Sequence, residues 1–223
     1  MGQGVPVMRA FPILLAVLII ASCGSDKAEH EGFSVALAEV TRLVSGKAAA
    51  PAPPALNRAA IDQGGNPLIR ARIEKVGLVA FMGKIGEGRG AIIWSSVDGT
   101  TLAIRDGVVI STRGMGTDLM SSASPTAAQL ATADRLNRQN YYLFGGETEQ
   151  LVSFDCQLRN QGPERITVVE LAYDTTHRVE TCTGSGRLSF ENHYWFDNRA
   201  IIRQSRQWIS PDVGFLELQD LNR

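Results

Sequence analysis

From Pro67 to the carboxyl end, apolar and polar residues alternate with a period of two in short runs cut by glycine-containing breaks. That alternation belongs to strands with one buried face, and it leaves little room for anything except an antiparallel sheet. The first runs are 68–74, 76–82, 91–97, 101–105 and 108–112, separated by 83–90 (GKIGEGRG), Asp98-Gly99 and Asp106-Gly107. Asp-Gly between alternating runs signals a hairpin, because a type I′ turn needs positive φ at both central residues. The pattern returns over 141–144, 150–158, 165–173, 177–183, 187–196, 200–210 and 214–218. Its breaks fall at Gly145-Gly146, 160–163, 184–186, Asp197-Asn198 and Pro211-Asp212. Between the two halves, Ala127, Leu130, Ala131, Ala133 and Leu136 predict a helix over 125–138, with Pro125 in its first turn. The expected fold is mainly β, an antiparallel meander forming a curved sheet or open half-barrel, with two short helices.

Composition narrows the function classes. Lys and Arg number 22 against 23 Asp and Glu, so no concentrated positive footprint exists for nucleic acid. A hydrophobic fraction of 44% at a net charge of -1 is too apolar for a disordered chain.

The amino terminus reads as an address. Residues 1–22 carry Arg9 and then the apolar run 11–20, too short for the roughly 20 residues that span a bilayer but suited to a secretory h-region. Ala21-Ser22-Cys23 at its end resembles the lipobox of bacterial lipoproteins, in which cleavage precedes a cysteine that takes a diacylglycerol and an acylated amine. An ordinary signal peptide with a chance cysteine is the alternative. Acyl chains at about 0.8 kcal/mol per buried CH₂ would then hold Cys23 on a membrane. Gly24 in place of Asp implies the periplasm-facing leaflet of an outer membrane. Residues 26–48 form an amphipathic stripe (Phe33, Leu37, Val40, Val44), and 48–55, AAAPAPPA, form an extended connector. The expected organisation is a signal at 1–22, a lipidated cysteine, helix and linker at 23–66, and a β domain at 67–223.

With Cys23 lipidated, Cys156 and Cys182 remain as an even pair in an oxidising compartment, and a disulfide is expected over two free thiols. No C-x-x-C or H-x₃₋₅-H spacing completes a zinc site, and no metal or cofactor is expected.

Sequence signatures of catalysis are missing: no G-x-S-x-G, H-E-x-x-H, Walker loop or G-x-G-x-x-G occurs. Gly86-x-Gly88-x-Gly90 lies between two strands and reads as a hairpin. His30 reads as solvated and His193 as a structural hydrogen-bonder. Glu170, Asp174, Glu180 and Glu191 are scattered over the carboxyl-terminal strands; a glycosidase would need two of them to converge. The chain is therefore expected to be no enzyme. Aromatics say more. Trp94, Tyr141, Tyr142, Phe144, Phe190, Tyr194, Trp195, Phe196 and Trp208 all fall on expected strands, and alternation sends Tyr194 and Phe196 to one face and Trp195 to the other. An inward set would be core, and an outward set could line a groove for sugar rings or acyl chains. Arg105 and Arg113, in the segment running to Asp118-Leu119, either bind an anionic group or make a sharp bend closed by a local Arg–Asp pair.

Several clusters resemble one family. Trp94-Ser95-Ser96 with Asp98-Gly99, Arg105-Asp106-Gly107, Thr112-Arg113-Gly114 and Asp118-Leu119 are similar to the YjbF/GfcB family of group 4 capsule lipoproteins. Glu180-x-Cys182, Phe190-Glu191-Asn192-x-Tyr194-Trp195, Ser205-x-Gln207-Trp208-Ile209-Ser210-Pro211 and Gly214-Phe215 agree, over roughly 66–220. The long Ala/Pro linker and Met115, where Leu is expected, depart from it. The resemblance implies an outer-membrane lipoprotein acting with other secretion components in exopolysaccharide or capsule production, with an all-β, open-barrel-like body. It supplies no catalytic residues. Ligand-facing candidates are Trp94, Arg105, Arg113, Tyr194, Trp195, Gln207 and Trp208. A carrier of a lipid or glycan in an open barrel pocket is the alternative.

Overall fold

Twelve antiparallel strands form one continuous sheet in the computed structural model, which describes residues 56–222 apart from 145–147 and 185–187. The signal, Cys23, the 26–48 helix and the 48–55 connector lie outside the described residues. The strands are β1 (Leu68–Ile73), β2 (Leu78–Gly88), β3 (Ala91–Ser95), β4 (Thr101–Arg105), β5 (Val108–Arg113), β6 (Leu119–Ala123), β7 (Arg135–Phe144), β8 (Thr148–Val168), β9 (Leu171–Gly184), β10 (Ser189–Phe196), β11 (Ile202–Ser210) and β12 (Gly214–Asp220). Their spatial order is β5-β4-β3-β2-β1-β12-β11-β10-β9-β8-β7-β6, so every ladder except β1–β12 joins sequence neighbours. The expected curved sheet is carried nearly to closure, because the two edges, β5 and β6, are themselves consecutive in the chain.

Turn chemistry sets the register. Asp106 (φ 49°) and Gly107 (φ 84°) form the two-residue I′ turn that Asp-Gly predicts. Asp98-Gly99 works differently: only Gly99 is left-handed, and the Gly99 amide donates to Ser96 O at 3.1 Å in a longer loop. The stretch 83–90 is strand as far as Gly88, and the turn is Arg89-Gly90. The break at 160–163 is a β-bulge inside β8: the ladder slips between Asn160 and Gly162, and Pro163 stays paired with Thr176. Bulges are where a sheet tolerates proline.

Two helices are present among the described residues. α1 (Arg58–Gly64) lies in the stretch read from sequence as linker. Asn57 caps it, accepting from the Ala60 amide, and Ile61 packs with Ile166, Val168 and Leu221. α2 (Ala127–Thr132) is held by a capping box between Thr126 and Gln129. It ends six residues short of the 125–138 expected, because Arg135 already belongs to β7. The reason is chemical. The inward positions of β7 include Arg138 and Asn140, so the strand shows no apolar alternation there.

The seam between β5 and β6 is closed by side chains. Thr112, wholly buried, donates to Asp118 Oδ1 at 2.7 Å and accepts from the Leu119 amide at 3.0 Å. Asp118 accepts from the Gly114 and Met115 amides, and Arg113 donates to the carbonyls of Leu119 and Met120. Gln207 of β11 reaches across the interior to the same edge. Its amide donates to Gly107 O at 2.8 Å and accepts from the Val109 amide at 3.0 Å, a pairing that stands in for a missing strand neighbour. Gly107 is needed twice here, since a Cβ would also lie 2.8 Å from Ile202. Replacing Gln207 by Leu should cost about 1–3 kcal/mol, because a buried amide and carbonyl lose their partner. Urea unfolding of the variant measures it, and an unchanged midpoint would show that water satisfies the edge.

Candidate functional site

The Gln207 bonds hold the β4–β5 hairpin against β11, and a cleft of about 570 Å³ lies at that end, within the range of small-molecule sites. Its floor is aliphatic, with Ile69, Ile92, Ile104, Ile202 and Leu218, and Trp94 stands among them, 5% exposed. The rim is polar, with Lys84, Asp106, Gln204, Gln219 and Asn222, and α2 contributes Ala127 and Ala128. An aliphatic trough under a rim of amides and charges suits an amphiphile better than a bare polar solute.

One side of the rim is fixed by Asp197, at the β10–β11 turn. The ladder slips there, pairing Trp195 with Gln204 but Phe196 with Ile202, so Arg203 is the extra residue of a bulge. Arg203 binds Asp197 at 2.9 Å and Asp220 at 3.0 Å, and it lies over the Tyr173 ring. Burial opposes the charge of Asp197, but the amides of Ile201 and Arg199 and the Arg203 guanidinium outweigh it and hold its pKa below the usual carboxylate range. The unfolded chain therefore takes up this proton first on acidification. The stabilisation is complete above about pH 4 and is lost as pH falls through the lowered pKa. Urea midpoints between about pH 2 and 6 should show an acid-side loss that shrinks in Asp197→Asn; equal profiles would refute it.

The other candidates are spread over the sheet. Tyr194 is wholly buried in a polar cluster on the interior side of β7, β9 and β10. There Arg138 binds Glu180 through two bonds of 2.7 and 2.8 Å and also donates to Tyr194 Oη at 2.7 Å. Asn192 and Tyr194 both donate to Glu180 Oε2. Burial opposes charge on Arg138, while Tyr194 and Glu180 raise its pKa above the ordinary value; burial likewise pushes the Tyr194 phenol well up. Trp195 lies on the opposite face, packed with the cluster beneath α1 and stacked on His177 with ring centres 4.4 Å apart. Trp208 stacks on Phe190 and meets Phe215 edge-on. Arg113 and Gln207 serve the seam, and Arg105 is half-buried at the end of β4. Of the seven, only Trp94 lines the cleft.

Sequence reading missed the rest of the cleft, because its walls come from residues that look like ordinary core on five different strands. It also missed Arg138, whose only signal is a charge inside a helix-like pattern. The disulfide Cys156–Cys182 is present, joining residues directly opposite in the β8–β9 ladder. Cys156, Glu180 and Cys182 bring three potential metal donors within 4.8 Å of one another, but the disulfide takes both sulfurs.

Comparison with known proteins gives two findings. The family described as "Group 4 capsule polysaccharide lipoprotein gfcB, YjbF" matches residues 36–221. A crystal structure of the hypothetical lipoprotein YmcC from Escherichia coli (K12) has a similar fold, with a TM-score of 0.67 at 18% identity, covering 76% of this chain and 90% of that one. No curated protein matches.

Proposed function

The chain belongs to the YjbF family of group 4 capsule polysaccharide lipoproteins, and from that membership we propose that it is a periplasm-facing, outer-membrane lipoprotein acting as a non-enzymatic accessory in exopolysaccharide or capsule assembly or export. The family match carries the reading. The lipobox at Cys23 supports an anchor, and Gly24 supports the outer membrane as its destination. A non-enzymatic role is supported by how the most buried carboxylate among the described residues is used: Glu180 is wholly enclosed and bound by Arg138, Asn192 and Tyr194. Partners in this reading are the membrane, through the lipid, and other secretion components.

The test is surface polysaccharide from a deletion strain rescued with wild type or with Cys23→Ser. Loss on deletion, restored by wild type alone, is the expected result. Normal polymer on deletion, under conditions where the polymer is made, would overturn the proposal.

The cleft favours a second reading, a carrier for the lipid or glycan part of an amphiphile. Ala128→Trp would fill the cleft from an exposed position on α2 without touching the core. A carrier would then fail to rescue although it folds; full rescue would leave the cleft without a part.

A further inference from the structure

Four side chains stand in a row on the outer face of β8, β9 and β10. Glu164 Oε2 is 3.0 Å from His177 Nδ1, His177 Nε2 is 3.0 Å from His193 Nδ1, and His193 Nε2 is 3.3 Å from Glu191 Oε1. The ladder makes the row: His177 pairs with Trp195 and His193 with Val179, so the two imidazoles are diagonal neighbours on adjacent strands.

Counting protons shows what is unusual here. Three contacts need three protons on four ring nitrogens, and two neutral imidazoles carry two. If each ring points its N–H at its glutamate, the inner nitrogens face each other as two lone pairs, a conflict that one added proton or a shared cation relieves. Histidines bound to a metal are arranged in this way: the outer N–H goes to a carboxylate, which fixes the tautomer, and the inner nitrogen goes to the ion. A dication bound by both inner nitrogens, set to one side of the line between them, would satisfy all four groups and offset both carboxylates.

We propose that His177 Nε2 and His193 Nδ1 bind a divalent transition-metal ion of the Cu²⁺ or Zn²⁺ type, with Glu164 and Glu191 orienting the two rings. Imidazole donors select these ions over Mg²⁺ or Ca²⁺, which take oxygen ligands. The rings are half-buried, so solvent completes the coordination. Arg206 faces His193 from β11, but Glu74 holds its guanidinium at 2.7 and 2.8 Å and it lies over the Phe215 ring, which offsets its repulsion. The nearby Arg165 is paired with Asp174.

Trp195, parallel to His177, supplies the readout, because bound Cu²⁺ quenches an adjacent indole. Titrating the full chain with Cu²⁺ should give saturable quenching at one equivalent. Trp195→Phe should lose most of the quenching while calorimetry with Cu²⁺ or Zn²⁺ still shows binding. Glu164→Gln should weaken binding about tenfold, as loss of an orienting carboxylate does. His177→Gln with His193→Gln should abolish it. The electron paramagnetic resonance spectrum of Cu²⁺-loaded wild type should show coupling to two imidazole nitrogens, a measurement that needs no variant to fold. Undiminished quenching in the double variant, no saturable binding of either ion, or a spectrum without two imidazoles would each overturn the site.

Discussion

Glu180→Leu is expected to lose about 3–5 kcal/mol of stability, a large share of the 5–15 typical of a domain. The carboxylate is wholly buried and is the counter-charge of Arg138, itself 5% exposed. Removing it strands a guanidinium inside the barrel and also leaves Asn192 and Tyr194 without their acceptor. The loss measures an uncompensated buried charge, so it is not the net worth of the pair. Arg138→Leu combined with Glu180→Leu should therefore recover much of the deficit, as paired replacement of buried ions by apolar groups often does. Urea unfolding of the two single variants and the double closes the cycle. A single variant costing under about 1 kcal/mol would mean that water reaches the cluster and shares the charge.

The second large effect comes from the disulfide. Cys156→Ala with Cys182→Ala should lower stability by about 3–4 kcal/mol, the chain-entropy value for closing a loop of this size in the unfolded state. Both residues are buried, so the bridge is shielded in the folded chain and reducible once the chain unfolds. Unfolding in reductant should bring wild type to the midpoint of the variant and leave the variant unmoved. Identical wild-type midpoints with and without reductant, at equilibrium, would show that the bridge adds nothing.

Much of this was legible from the residues alone. Period-two alternation demanded strands, and Asp106-Gly107 placed a hairpin to the residue, because few dipeptides accept two positive φ values in succession. The clusters around Trp94, Arg105 to Asp118 and Ser205 to Gly214 pointed to the family that the chain belongs to. What misled was polarity turned inward. Arg138 and Asn140 broke the alternation of β7 and lengthened the expected helix, and Gln207 looked ligand-facing when its amide is spent on β5. Arg113, read either as an anion binder or as part of a sharp bend, lies at the seam beside Asp118 and donates to the Leu119 and Met120 carbonyls.

The division has a physical basis. Most strands and the Asp106-Gly107 turn depend on a residue and its near neighbours, and the Cys156–Cys182 pairing needed only a count and a compartment, so the sequence by itself determined them. Which edges meet, which polar groups find one another inside, and where space is left over depend on groups far apart in the chain, such as Gln207 and Gly107, 100 residues apart. Those were decided by closure of the sheet: it brought β5 against β6, buried Arg138 with Glu180, and left the cleft beside β11.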